Sequence, residues 1–154
     1  MNKNIHILSR AVIIDNAHIL LCKTTNAQSN FYYLPGGHIE HGESATESLK
    51  RELVEELGFQ FIIKRFLGCL EFSFNPDHPI CHTHEYNFIF EVESGVVTRS
   101  TVFTPFEEKG LCLELEWIAL QKLYTIGLRP GPLEKLIQKW LEQDFDDAFE
   151  SKML

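Results

Sequence analysis

Positive charge is scarce in this chain: its 154 residues carry 14 lysines and arginines against 22 aspartates and glutamates, a formal net charge of −8. Tight nonspecific binding to nucleic acid draws its affinity from basic side chains that displace counterions around phosphates, so no stable nucleic-acid complex is expected. Long apolar runs are missing as well. Nothing approaches the roughly 20 apolar residues that cross a bilayer, and a soluble protein without membrane association is expected. Cysteine is sparse and scattered: Cys22, Cys69, Cys81 and Cys112 lie far apart, mostly inside apolar stretches, with no cleavable apolar leader before them. Reduced thiols in a cytoplasm are the simpler reading. Internal repeats and low-complexity segments are also lacking, which excludes solenoids and linker arrays.

What is present suits one globular domain. An apolar fraction of 44% is ordinary, so disorder is not expected over most of the chain. Residues 1–142 read as a single domain. Residues 143–154 read as an acidic tail, with Asp144, Asp146, Asp147 and Glu150 beside Phe145 and Phe149, either a solvated helical extension or a frayed end.

Two nearly continuous apolar runs, Ala11 to Ile14 and Ile19 to Cys22, flank the turn-prone Asp15 and Asn16 and predict a hairpin buried on both faces. Phe31 to Leu34 reads as an aromatic strand end running into a Pro35-Gly36-Gly37 turn. Ser44 and Glu47 have the spacing of a capping box, and Gly58 suits a left-handed C-terminal cap, so a helix is predicted over 45–57. Gln60 to Phe74 is strand-like. In Glu85 to Glu93, Tyr86, Phe88, Phe90 and Val92 face one way and Glu85, Asn87, Glu91 and Glu93 the other, with Ile89 the exception. Leu113, Leu115, Trp117 and Ala119 repeat the alternation. Pro132 suits the first turn of a second helix, Leu133 to Glu142. Strands interrupted by two helices indicate an α/β fold, a mixed β-sheet covered by helices on both faces.

On the first helix, Glu52, Glu55 and Glu56 stand at i, i+3 and i+4 and share one face. A solvated acidic face is the bland reading of any such cluster. Here the apolar stripe Ala45, Leu49, Leu53 and Leu57 overlaps the arc of Glu52 and Glu56, which sets the carboxylates against the core side, where uncompensated charge is expensive. Oxygen ligands at this spacing suit a hard cation, Mg²⁺ or Mn²⁺, with open positions for phosphate oxygens. Gly36 and Gly37 let backbone approach the same spot.

From Gly37, five residues lead to Glu43, and seven more lead to Arg51-Glu52-Leu53-Val54-Glu55-Glu56-Leu57-Gly58-Phe59. This spacing resembles the signature of the Nudix hydrolases without a mismatch, at nine positions over 23 residues. The Leu-Pro-Gly-Gly turn and the later Glu116-Trp117 strand also resemble that family, so the likeness extends to about Glu142. It implies an α/β/α sandwich and hydrolysis of a nucleoside diphosphate linked to another group, such as a nucleotide sugar, ADP-ribose or an oxidised nucleoside triphosphate. By the same likeness Glu52, Glu55 and Glu56 would bind metal, with the Gly36 carbonyl as a further ligand, and Glu43 and Arg51 would brace loop against helix as an ion pair. Glu52 is the first choice for the base that takes a proton from the attacking water. An acid from outside the helix would come from Glu85, Glu107, Glu108 or Glu114.

Arg10, Tyr33, Gly37 and Glu85 are the candidate substrate-binding residues. Phe31, Tyr32 and Tyr33 suit either base stacking or core packing, and Arg10 and Arg129 either a phosphate or a surface ion pair. His38 and His41 flank the glycines, where plain exposure competes with phosphate contact. Cys81, His82 and His84 lack a second pair at zinc-ligand spacing. The competing class of function is a noncatalytic nucleotide-binding module of the same fold; loss of signature acids would favour it, and all are present. A nucleotide-like small molecule is the expected partner, and exposed edge strands leave a homodimer open beside a monomer.

Overall fold

A computed structural model of the chain describes residues 4–25, 30–74, 84–108 and 110–153, with the side chain of Glu108 excepted. Strands β1 (Ile5–Asp15) and β2 (His18–Thr24) form the expected hairpin, joined at Ile14↔Ile19 and Asp15↔His18. The turn is Asn16-Ala17, one residue later than the sequence reading, and both residues have positive φ, 47° and 60°. That is the geometry whose twist matches right-handed strands in a two-residue hairpin.

The chain continues through β3 (Tyr32–Tyr33) and β4 (Gly36–His38) into helix α1 (Ala45–Leu57). Strands β5 (Ile62–Ser73), β6 (His84–Glu93), β7 (Phe106–Glu108) and β8 (Leu111–Ala119) follow. A 3-10 segment (Leu120–Thr125), helix α2 (Leu133–Leu141) and strand β9 (Phe149–Lys152) complete the order. Among the described residues the sheet runs β7-β8-β2-β1-β6-β5-β9, with β3 on β2 and β4 on β1. It is mixed: β1 with β6 and β5 with β9 are parallel, the other pairs antiparallel.

Helix α1 has the predicted bounds. Ser44 Oγ accepts from the Glu47 amide, the Glu47 carboxylate accepts from the Ser44 amide, and Gly58 closes the helix at φ 77°. Leu49, Leu53 and Leu57 press on Ala11, Ile13 and Leu20 of one sheet face. Val12, Ile19 and Leu21 point the other way, into a second core with Leu136, Ile137 and Trp140 of α2. This two-sided burial explains why β1 and β2 read as continuous apolar runs.

Two sequence expectations change. The tail is not a helical extension: β9 lies parallel on β5, from Cys69↔Phe149 to Phe72↔Lys152. The Cys69 amide donates to Ala148 O at 2.8 Å and Trp140 Nε1 donates to Asp147 O at 3.3 Å, so the tail satisfies an otherwise open sheet edge. The Gly36-Gly37 turn is a short strand, because its backbone pairs with Ser9 and Arg10 of β1. The alternation in β6 holds, and Ile89 is its apolar exception: it shares the face of Glu85 and Asn87 and packs in the α2-side core.

Candidate active site

The short strand β4 is a thin wall between two features. Its register with β1 is Leu8↔His38, Ser9↔Gly37 and Arg10↔Gly36. A Cβ at Gly36, whose φ is 125°, would stand 2.1 Å from Ser9 O; one at Gly37 would stand 2.4 Å from Glu52 Cδ. Neither position has room for a side chain, and the bare backbone is what lets the helix carboxylates come close.

On the helix side, Glu56 Oε2 accepts from the Gly36 amide at 2.8 Å, and only 9% of Glu56 is exposed. The Glu52 side chain is 14% exposed and that of Glu55 59%. Arg51 gathers the surrounding acids. It donates to both oxygens of Glu43, from Nε at 2.7 Å and Nη2 at 2.9 Å, and from Nη1 to Glu52 Oε1 at 2.9 Å. The same Nη1 lies 3.5 Å from Glu55 Oε2, and Nη2 also donates to the His38 carbonyl at 3.2 Å. The forked bond to Arg51, helped by the Glu40 amide, holds the Glu43 carboxyl at about 2, and Glu43 in turn pushes the guanidinium pKa up. Helix, loop and glycine strand are thereby tied at one point.

Arg51 shares its charge between Glu52 and Glu55 while Glu56 turns to the Gly36 amide. Among the described residues no three acidic, histidine or cysteine side chains converge tightly enough to hold an ion. The donor set nonetheless fits a hard cation: it is all oxygen, partly buried, and arranged about one backbone segment.

Across the wall lies a cleft of about 190 Å³. All four residues singled out for substrate contact, Arg10, Tyr33, Gly37 and Glu85, line it. Arg10 donates from Nη1 to Gly36 O at 2.7 Å and Leu34 O at 3.1 Å, and its guanidinium carbon lies 5.5 Å from the Tyr33 ring centre. Arg129 covers the Phe31 ring at 4.6 Å, so the cleft has two paired aromatic and guanidinium walls. Tyr32 points elsewhere, donating to Glu116 Oε2 at 2.9 Å.

Glu85 and Asn87 come from β6 and are 4% and 1% exposed, with Asn87 Nδ2 donating to Glu85 Oε1 at 2.8 Å. The alternation in β6 put Asn87 on the face of Glu85 without naming it a site residue. Of the acids outside the helix, Glu85 lines the cleft, and Glu107 and Glu114 lie exposed on β7 and β8 outside its lining. The Glu108 side chain, Cys81 and His82 fall outside the described residues; His84 meets Glu71 at 3.2 Å. His38 also lines the cleft, with its Nε2 2.7 Å from His6 Nδ1, while His41 is exposed.

Comparison with known proteins matches residues 6–143 to the NUDIX domain model. An ADP-ribose pyrophosphatase of Methanocaldococcus jannaschii is 34% identical over 82 residues, 53% of this chain and 47% of that protein. An 8-oxo-dGTP diphosphatase of Buchnera aphidicola subsp. Schizaphis graminum is 38% identical over 55 residues, 32% of this chain and 42% of that protein. The chain thus spans less than half the length of either curated relative. The solved structure of a NUDIX hydrolase from Nitrosomonas europaea superposes with a TM-score of 0.69 at 20% identity, covering 92% of this chain and 91% of that one. A MutT protein from Methanosarcina mazei Go1 superposes with a TM-score of 0.66 at 19% identity, covering 94% and 98%. At these identities the structures speak for the fold.

Proposed function

We infer the activity from one premise: the chain belongs to the NUDIX domain family. Nudix hydrolases generally use divalent metal ions and act on small nucleotide-like substrates. On that premise this chain hydrolyses the diphosphate linkage of a nucleoside diphosphate derivative, in the class of nucleotide sugars, ADP-ribose and oxidised or ordinary nucleoside triphosphates, with Mg²⁺ as the cation and Mn²⁺ as a substitute. The observation that carries the reading is the position of β4: one glycine segment touches the helix carboxylates on one side and the aromatic cleft on the other.

Glu52, Glu55, Glu56 and the Gly36 carbonyl would hold the cation. When bound, it supplies Lewis acidity, neutralising diphosphate oxygens and making a water a better nucleophile. Glu52 accepts the proton of the attacking water. Arg51 and Glu43 keep helix and loop in register, Gly37 leaves Glu52 its room, and Arg10 and Tyr33 shape the cleft that orients the substrate. The noncatalytic alternative keeps the same cleft and would bind nucleotide without turnover.

The protein works as a monomer or homodimer in the cytoplasm, without a stable nucleic-acid complex and without a membrane. A net charge of −8 and the thiols of Cys69 and Cys112 support this placement. Among the described residues no helix is long and apolar enough to cross a membrane. The test is product release over a panel of nucleoside diphosphate compounds with Mg²⁺ or Mn²⁺. Release of a nucleoside monophosphate is expected; no turnover with any compound at either cation would overturn the hydrolase in favour of the binding module.

A further inference from the structure

We propose that Arg10 is an exchangeable occupant of the Gly36 carbonyl: it gives that oxygen up to the divalent cation and turns its guanidinium to a phosphate of the substrate, so that cation and substrate favour each other's binding. The proposal rests on the reading that Gly36 O is a ligand of the cation.

Strand β4 is fixed without Arg10. The Ala11 amide donates to Pro35 O at 2.8 Å and the Ile39 amide to Ile7 O at 2.9 Å, one bond beside each end of the strand. Between them Glu56 Oε2 accepts from the Gly36 amide at 2.8 Å. The carbonyl of the same glycine accepts from Arg10 Nη1 at 2.7 Å. That bond brings a positive charge to a backbone already held in register, so its loss leaves the wall standing. Exchange also asks little motion. Arg10 Nη1 has a second acceptor in Leu34 O at 3.1 Å, and the guanidinium carbon lies 5.5 Å from the Tyr33 ring centre, so the side chain stays anchored when one bond is given up.

A carbonyl oxygen has two lone pairs, so the choice between guanidinium and cation is not one of room. It is one of charge. A guanidinium keeps its proton, and a divalent cation sharing its oxygen would meet a fixed positive charge in partly buried surroundings, where repulsion is little screened. Arg10 therefore weakens cation binding for as long as it stays. A phosphate reverses the sign: the planar fork of an arginine matches phosphate oxygens, and Arg10 already lines the cleft. Substrate that draws Arg10 away uncovers the ligand oxygen, and a cation that displaces Arg10 frees it for substrate. By linkage each raises the affinity for the other by the same factor.

Titration of the full chain with Mn²⁺, the free ion followed by its paramagnetic resonance, reads the exchange without nucleotide or turnover. Arg10→Met keeps an apolar stem and removes charge and donors; it is expected to bind Mn²⁺ about fivefold or more tighter than the parent, within the range of couplings between sites. Arg10→Lys keeps the charge and is expected near the parent. In the parent, the Arg10 side-chain N–H resonance, assigned through its loss in Arg10→Lys, is expected to shift as Mg²⁺ is added. With a substrate that is turned over, Arg10→Met is expected to raise KM about tenfold, the loss of a charged hydrogen bond, while lowering the Mg²⁺ concentration for half the maximal rate. Equal or weaker Mn²⁺ binding by a folded Arg10→Met marks Arg10 as a plain brace and overturns the proposal, and so does a resonance that Mg²⁺ leaves unmoved; if Arg10→Met does not fold, the resonance decides. A chain that hydrolyses the panel while Arg10→Met binds Mn²⁺ no tighter overturns this inference and leaves the hydrolase standing. Tighter Mn²⁺ binding by the variant in a chain without turnover does the reverse, and a parent that binds no Mn²⁺ overturns both.

Discussion

The Glu52 carboxylate sits against the Cα of Gly37 so closely that a methyl group there would lie within 2.4 to 2.7 Å of its three terminal atoms. Gly37 lacks the positive φ of its neighbour Gly36, so alanine is conformationally acceptable and the clash falls on a side-chain end. Gly37→Ala is therefore expected to fold with a melting temperature near that of the parent while turnover drops about 100-fold, the effect of misplacing a reacting group by about an ångström. Unchanged turnover would remove Glu52 from the reaction.

Arg51 is expected to matter through position. Arg51→Ala frees Glu43 and should lower kcat/KM by about 100-fold, and Arg51→Lys should recover only part, since an ammonium cannot replace the forked bond to both Glu43 oxygens. Steady-state kinetics of the two variants check this; equal rates for parent and alanine variant would mean that the brace is idle.

The same pair predicts an acid limb in stability. The Glu43 carboxyl falls from 4.5 to about 2 in the folded chain, so its stabilisation is fully present above about pH 4.5 and is lost as pH falls toward 2. Denaturant titrations between pH 6 and pH 2 should show the decline, and Arg51→Ala should flatten it. A variant curve parallel to the parent's would contradict the assignment.

Glu52→Gln and Glu55→Gln separate base from ligand. Glu55 is largely exposed, so its replacement should spare the fold, weaken metal binding and lower turnover by orders of magnitude, with partial rescue by excess Mg²⁺. Glu52→Gln should depress kcat more than it raises KM, without rescue. Rescue of Glu52→Gln by metal would leave Glu52 a ligand only and move the base to an acid outside the helix.

Far from the cleft, Gly68 carries the tail. A Cβ there would stand 2.5 Å from the Trp140 ring and 2.8 Å from Ala148 O. Gly68→Ala is expected to destabilise by about 1–3 kcal/mol through overpacking, read in chemical denaturation, with nucleotide affinity unchanged because neither Gly68 nor Trp140 lines the cleft.

Helix α1, its capping box, its glycine cap and the facing of its three glutamates were legible in the sequence, because each depends on residues three or four apart. The β1–β2 hairpin was legible for the same reason, to within one residue of its turn. Tertiary structure decided what distant segments do to one another. Residues 149–152 form a strand because β5 offers an open edge and Trp140 closes over Gly68, neither of which the acidic tail encodes. Gly36-Gly37 becomes a wall with two faces only when β1 pairs with it. The alternation in β6 placed Glu85 and Asn87 together, yet a period of two cannot say which face is covered. Arg129, Phe31 and Leu133 converge over that face from loops and α2, and their arrival, more than any pattern within β6, sets two polar residues in the lining of a cleft.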